Sequence, residues 1–262
     1  MNLVNVIIPV YNQAKYLEEC VQSVLNQSFK KYSITIINDD SPDNAKEVIN
    51  KISLKHKNIQ ILYTPDLGNT RCRNVGINGT KSKYFLLLDA DDKIHKDFLK
   101  ETIKVLDDNP EIGFCYTDTQ HFGVANSFWE QPDYNFFRLL QGNYICYCSL
   151  IRRIAFEDVG GYNPENYGYQ EDYELWLRLG RKGWYGKHIP KKLFYYQIHD
   201  NNNSRSKRTV QFDPVYREFL ITWYPEIFPE QLQEHAKQVV SQYPIDFMNV
   251  DHAEQEKYLK EN

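Results

Sequence analysis

The sequence predicts an α/β fold built on a mostly parallel sheet with helices on both faces. Three observations predict it. Short β-branched and apolar runs alternate with apolar positions at helical spacing up to Tyr116. The runs are apolar throughout, as in strands covered on both faces. Acidic clusters follow two of the runs directly, where the loops of such a sheet carry ligands.

Val4–Val10 reads as the first buried strand, and Leu17, Cys20, Val21, Val24 and Leu25 follow at helical spacing. Residues 33–37 give a second strand, Val48, Ile49 and Ile52 a second helix, and residues 59–63 a third strand. Residues 70–77 read as helical, and 84–88 as a continuous apolar strand ending at Asp89. Phe98, Leu99, Ile103 and Leu106 mark a helix that Asn109-Pro110 stops, and 112–116 is another strand. Beyond Gly123 the chain is aromatic and irregular to Gly142. A strand-like run at 144–151 precedes Arg152-Arg153, and a Gly/Tyr/Asn-rich loop spans 160–169. A helix carrying Leu175, Trp176 and Leu179 follows, then a late strand at 192–198. Residues 201–207 are polar and read as a mobile loop, and the tail from 209 has helical patterns broken by Pro225, Pro229 and Pro244. Its one strongly apolar segment, 219–224, is expected to pack on the core.

Composition excludes several classes. A net charge of -4 is wrong for a nucleic-acid binder held by bulk electrostatics. Five cysteines in irregular spacing do not make a secreted disulfide framework, and Cys146 and Cys148 lack a second pair for zinc. All five are expected to be reduced thiols, mostly buried. There is no leader pattern at the start and no apolar run near the ~20 residues of a membrane span. The expectation is a soluble cytoplasmic protein, with peripheral membrane contact left open.

Five constellations carry chemistry. In Leu86-Leu87-Leu88-Asp89-Ala90-Asp91-Asp92, a buried strand ends in three carboxylates within four positions. That much like charge needs a cation, and oxygen ligands point to Mg²⁺ or Mn²⁺ with substrate phosphates completing the shell. Asp92 is expected to cap a following helix instead. Asn38-Asp39-Asp40-Ser41-Pro42-Asp43 follows the second strand, where a carboxylate can accept from a base-edge N–H, or simply make a turn. Arg71 and Arg73 open a helix near the same edge, which suits phosphate or nucleotide contacts for one of them. Glu171 and Asp172 start a helix after the Gly/Tyr loop, where a carboxylate can serve as general base or as a favourable helix-start charge. His199, after the last strand, can add a nitrogen ligand or touch a diphosphate.

In order and spacing these motifs resemble glycosyltransferase family 2, the inverting enzymes of the GT-A fold, from Val4 to about Ser206. Val6-Ile7-Ile8-Pro9-Val10-Tyr11-Asn12 is similar to the family's opening strand and turn. The segment 38–43 is similar to its (D/N)DGS-x-D motif, with Asp40 where Gly is usual. Arg73-Asn74-Val75-Gly76-Ile77 resembles ARN-x-G, and Asp89-Ala90-Asp91-Asp92 resembles the D-x-D-D metal motif. Gly160-Gly161-Tyr162, Glu171-Asp172 and Trp176-Leu177 resemble its GG(F/Y)…ED…LWLR block.

The resemblance implies a GT-A domain over 1–208, nucleotide-binding to about 120 and acceptor-binding from about 121, with a helical extension at 209–262. It implies that Asp39 holds the base beside Pro9 and Tyr11, with Arg73 a further nucleotide contact. Asp89 and Ala90 would meet the ribose or donor sugar, and Asp91 and His199 the metal. Asp172, with Glu171 beside it, would be the base that takes the acceptor proton in a single inverting displacement. The implied partners are a nucleotide-sugar donor, UDP-linked as the leading expectation, and a glycan or lipid-linked acceptor. A sugar-1-phosphate nucleotidyltransferase or a dehydrogenase is disfavoured, because the turn after the first strand, Pro9–Ala14 in sequence, contains no Gly. A non-catalytic sugar-binding protein on the same fold is disfavoured by the intact acids at 89, 91 and 172.

Overall fold

The computed structural model describes residues 2–56, 59–166, 170–200 and 215–243; the segment 201–207 and Pro244 lie outside them. In the first half, β1 (Val4–Val10), β2 (Tyr32–Asp39), β3 (Ile59–Thr64) and β4 (Tyr84–Leu87) are parallel. Helices α1 (Ala14–Leu25), α2 (Ala45–Lys55) and α3 (Asn69–Asn78) connect them. The short β5 (Lys93–Ile94) and α4 (Phe98–Asp108) lead to the long β6 (Ile112–Gly123). Then come β7 (Phe128–Trp129), α5 (Phe136–Leu139), β8 (Leu150–Arg152), α6 (Arg153–Asp158), α7 (Glu171–Arg181) and β9 (Tyr185–Ile198). Residues 215–223 are helical (α8), and α9 is Glu230–Val240.

Among the described residues the strands form one sheet in the order β3-β2-β1-β4-β8-β6-β9-β5, with β7 on β6. The parallel half is β3 to β4. The sheet becomes mixed where β8 inserts antiparallel between β4 and β6. Alternation along the strands divides two cores. Val4, Val6, Ile8 and Val10 face α1, α2 and α4, and Ile7, Ile37, Phe85 and Leu87 face α3, α7 and α8. Helices therefore cover both faces, as the apolar runs require. The five cysteines are all buried and free. Among the described residues no helix is long and apolar enough to cross a membrane.

Three elements differ from their sequence pattern. The run at 144–151 joins the sheet only at Leu150–Arg152. Residues 144–149 are buried, but side chains meet their backbone needs: Cys146 N–H donates to Gln131 Oε1. Apolarity reports burial there, not a strand. The strands β6 and β9 run well beyond the apolar stretches at 112–116 and 192–198. Their added pairs include polar residues that satisfy one another, such as His188 Nε2 and Asp118 Oδ1 at 2.8 Å. Pro190 is accommodated where the register of the pair shifts between Thr117 and Asp118.

Candidate active site

The carboxyl ends of β1, β2 and β4 lie side by side, since Val10 pairs with Asn38 and Ile7 with Leu87. The loops after them form one edge. The turns after β1 and β2 interlock. Asn12 N–H donates to Ser41 Oγ at 2.8 Å, and Ser41 N–H to Asn38 Oδ1 at 3.0 Å. Asp43 accepts from Ala14 N–H, Ala45 N–H and Ser41 Oγ, so one carboxylate caps both α1 and α2. Burial pushes Asp43 up, but these donors outweigh it and hold the carboxyl below its usual range. Asp40, in the place where the family pattern has Gly, adopts a φ of 50°. Asp tolerates this left-handed region better than most residues, which explains how the turn survives the replacement.

Asp39 is buried and accepts from Thr64 Oγ1 at 2.6 Å, Leu67 N–H at 2.8 Å and Gly68 N–H at 3.0 Å. Its carboxylate thus gathers the loop between β3 and α3 onto the end of β2. Pro9, the penultimate residue of β1, pairs with Ile37 nearby, and the Tyr11 ring is exposed at the turn.

After β4 the chain turns sharply, with Asp92 N–H donating to Asp89 C=O at 3.0 Å. Asp92 does not cap a helix as its position predicted. The next helix starts at Phe98, and the Asp92 side chain is buried between the Tyr147 hydroxyl, which donates to Oδ2, and Gln197 N–H, which donates to Oδ1 at 2.8 Å. Burial, then Asp91 and Asp89, push its carboxyl well up. Tyr147 also accepts from Asp89 N–H at 3.0 Å, so this one phenol pins the whole turn. Ala90 is buried within it. Asp91 Oδ2 lies 2.7 Å from His199 Nε2, and His199 Nδ1 lies 3.1 Å from the Tyr16 hydroxyl. Burial, then Asp89, raise Asp91, and His199 opposes the rise.

Arg73 lies beneath these loops, with its side chain wholly buried. Nη2 donates to Asp89 Oδ1 at 2.7 Å, and Nη1 donates to Glu171 Oε1. The guanidinium stacks over Tyr147, 5.4 Å from the ring centroid. Sequence reasoning put Arg73 against the nucleotide. The structure turns it inward onto the Asp89 and Glu171 carboxylates. Its neighbour Asn74 accepts from Tyr162 N–H and donates to Tyr162 C=O, locking α3 to the turn after α6. Gly160 and Gly161 have φ of 79° and 80°, which is why two glycines precede Tyr162.

Glu171 and Asp172 open α7. Glu171 faces inward to Arg73. Asp172 is half-buried and accepts from Asn143 Nδ2 at 3.2 Å. Burial, then the Glu171 charge, push its carboxyl up to about 7, against the pull of Tyr173 N–H, Arg73 and Asn143. The helix is fixed from behind: Trp176 stacks on Phe114 at 4.2 Å, and Glu174 accepts from Asn166 Nδ2 and the Tyr224 hydroxyl.

Arg73 therefore joins two groups of expected residues, the Asp89 turn and the start of α7. Asp39, Pro9 and Tyr11 stand on the same sheet edge. Tyr16, Asn143 and Tyr147 are additions that sequence reasoning missed. Tyr16 lies within an ordinary helical pattern, Tyr147 in an apolar run and Asn143 in an irregular loop, so none carried a local signal. Among the described residues, no group of three or more His, Cys, Asp or Glu side chains is placed to hold a metal alone. The Asp91–His199 pair still fits a hard divalent cation. Such ions take one or two protein ligands and complete their shell from substrate phosphates, and the 2.7 Å contact brings one oxygen and one nitrogen donor together.

A family model described as glycosyl transferase family 2 matches residues 5–173. The chain is 28% identical over 215 residues to the hyaluronan synthase of Pasteurella multocida, covering 80% of this chain and 22% of that protein. The chain thus spans about a fifth of the length of the first curated relatives it matches, the second being the chondroitin synthase of the same species. Among solved structures it is similar to S. aureus TarS 1-349 in complex with UDP, with a TM-score of 0.66 at 18% identity over 97% of this chain and 77% of that one. It is also similar to the mannosyltransferase PcManGT of Pyrobaculum calidifontis in complex with GDP-Man and Mn2+, with a TM-score of 0.62 at 14% identity over 92% and 76%. These structural likenesses bear on the fold.

Proposed function

The chain belongs to glycosyl transferase family 2 and has the GT-A fold, and we propose that it transfers one sugar from a nucleotide-sugar donor to an acceptor hydroxyl with inversion at the anomeric carbon. One observation carries the reading. Arg73 bridges Asp89 and Glu171, which supports reading the turn after β4 and the neighbouring Asp172 carboxyl as parts of one site.

On this reading the nucleotide lies across the ends of β1 and β2. Asp39, already tied to the 64–68 loop, presents the base-binding surface with Pro9 and Tyr11 beside it. Asp89 and Ala90 face the ribose and donor sugar, and Asp91 with His199 would hold Mn²⁺ or Mg²⁺. A cation there supplies compensation for the charge that grows on a departing diphosphate. Asp172 takes the proton of the attacking hydroxyl. Its carboxyl, raised to about 7, combines useful basicity with a large deprotonated fraction near neutral pH. Asn143 and the Tyr173 N–H hold it in orientation, and Arg73 draws Glu171 inward so that one carboxylate, not two, faces the acceptor. Attack from the side of Asp172, opposite the diphosphate, inverts the centre without a covalent intermediate.

UDP is the leading donor nucleotide, supported by the UDP complex of the structural relative TarS. The synthase relatives support a place in polysaccharide or glycan assembly. A cytoplasmic site of action, with any membrane contact peripheral, completes the proposal. The test is nucleotide release from a panel of UDP-, GDP- and dTDP-sugars, with Mn²⁺ or with chelator. One donor is expected to be hydrolysed slowly, and the release to vanish with chelator and in Asp91→Ala. Release unaffected by either would overturn the assignment of Asp91.

A further inference from the structure

His199 stands in the middle of a three-residue line. On one side Nε2 meets Asp91 Oδ2 at 2.7 Å, and on the other Nδ1 meets the Tyr16 hydroxyl at 3.1 Å. The Tyr16 and His199 rings lie 5.2 Å apart between centroids, tilted by 49°. The partners are 183 residues apart in the chain, so local sequence does not dictate the contact.

The protons decide what each partner can do. An ionised carboxylate only accepts, so in the neutral ring that pairs with it Nε2 carries the imidazole proton, and Nδ1 is then an acceptor for the Tyr16 hydroxyl. To bind a cation, Nε2 must be free of that proton, and a neutral ring then carries it on Nδ1. The group facing Nδ1 must donate in the first state and accept in the second. A phenol hydroxyl can do both, whereas an ammonium or a carboxylate can do only one.

We propose that Tyr16 is a positioning residue for the cation site, holding His199 in place through this exchange of tautomers. The inference rests on the reading of Asp91 and His199 as the cation pair. It also gives the site a mechanical link to the nucleotide loops. Tyr16 lies in the first turn of α1, and Asp43 from the loop after β2 caps that same turn at Ala14 N–H, 2.8 Å away.

The test uses the full chain, with Mn²⁺ as probe in the presence of UDP and free Mn²⁺ followed by electron paramagnetic resonance. Tyr16→Phe removes only the hydroxyl and is expected to weaken Mn²⁺ binding about tenfold, the lower end of what loss of such a supporting partner costs. UDP binding in chelator is expected to stay within about twofold of wild type, because Tyr16 acts through His199. His199→Ala is expected to lose at least as much, with Tyr16→Phe adding nothing on that background. Nitrogen NMR of labelled histidine, with Mg²⁺ and UDP, is expected to show the His199 proton move to Nδ1 when the cation binds. Wild-type Mn²⁺ affinity in Tyr16→Phe, beside a clear loss in His199→Ala, would overturn the role of Tyr16. Wild-type affinity in His199→Ala would overturn the cation pair itself.

Discussion

Near neutral pH the Asp172 carboxyl is close to half-protonated. Burial and Glu171 push it up to about 7, and its three favourable neighbours pull it back only in part. A base must be deprotonated, so donor turnover is expected to fall about tenfold per pH unit below about pH 6 and to level off above about pH 8. A rate flat down to pH 5 would remove Asp172 from the chemistry. The same shift costs stability. The native state holds the proton more tightly than the unfolded chain, so folding is favoured below about pH 4 and that advantage is lost as pH rises through about 7. Asp172→Asn is therefore expected to melt higher than wild type at pH 8, with the gap closing toward pH 4, as scanning calorimetry would show. The acids stand out in sequence because carboxylates directly after an apolar strand, or at a helix start, are costly without a use. The direction of Arg73 was not legible. A cation at the start of α3 looks the same whether it faces a phosphate or two buried carboxylates, and only the fold decides between them.

At the scale of elements, the site depends on α3 lying close enough to the sheet for Arg73 to reach Asp89. Gly76 permits that approach. A Cβ there would lie 2.5 Å from Ile37 Cδ1 and 2.7 Å from Ile7 Cγ2. Gly76→Ala is expected to cost about 1–3 kcal/mol by overpacking, read by urea denaturation. A stability within about 0.5 kcal/mol of wild type would mean that α3 can withdraw from the sheet without consequence. The parallel half and its helices were legible because continuous apolar runs and helical spacing both report burial. The second half was less so. The apolar run at 144–149 is buried loop, and β6 and β9 extend through polar residues such as Asp118 and His188 that pair with each other. Hydrophobicity cannot register pairs made 70 residues apart.

At the scale of the molecule, the segment after 214 belongs to the support of the site. Tyr216, Phe219, Leu220 and Ile221 of α8 are buried in the same cluster as Trp176 of α7. The Tyr224 hydroxyl donates to Glu174, and Asn166 Nδ2 donates to the Tyr216 hydroxyl at 2.7 Å. A chain ending at 208 is expected to unfold at lower temperature and to aggregate, since it uncovers the back of the helix that carries Asp172. Unchanged melting would make residues 209–262 dispensable. The apolar segment at 219–224 announced its burial in sequence, but not that it would brace α7. In the proposed function, donor binding and proton transfer reside in separate groups joined by Arg73. Calorimetry of UDP binding with Mn²⁺, run beside donor hydrolysis in Asp172→Asn, separates the two. The expected result is a Kd within about twofold of wild type and a rate lower by about 10²–10⁴. Hydrolysis at the wild-type rate, or loss of binding together with rate, would contradict it.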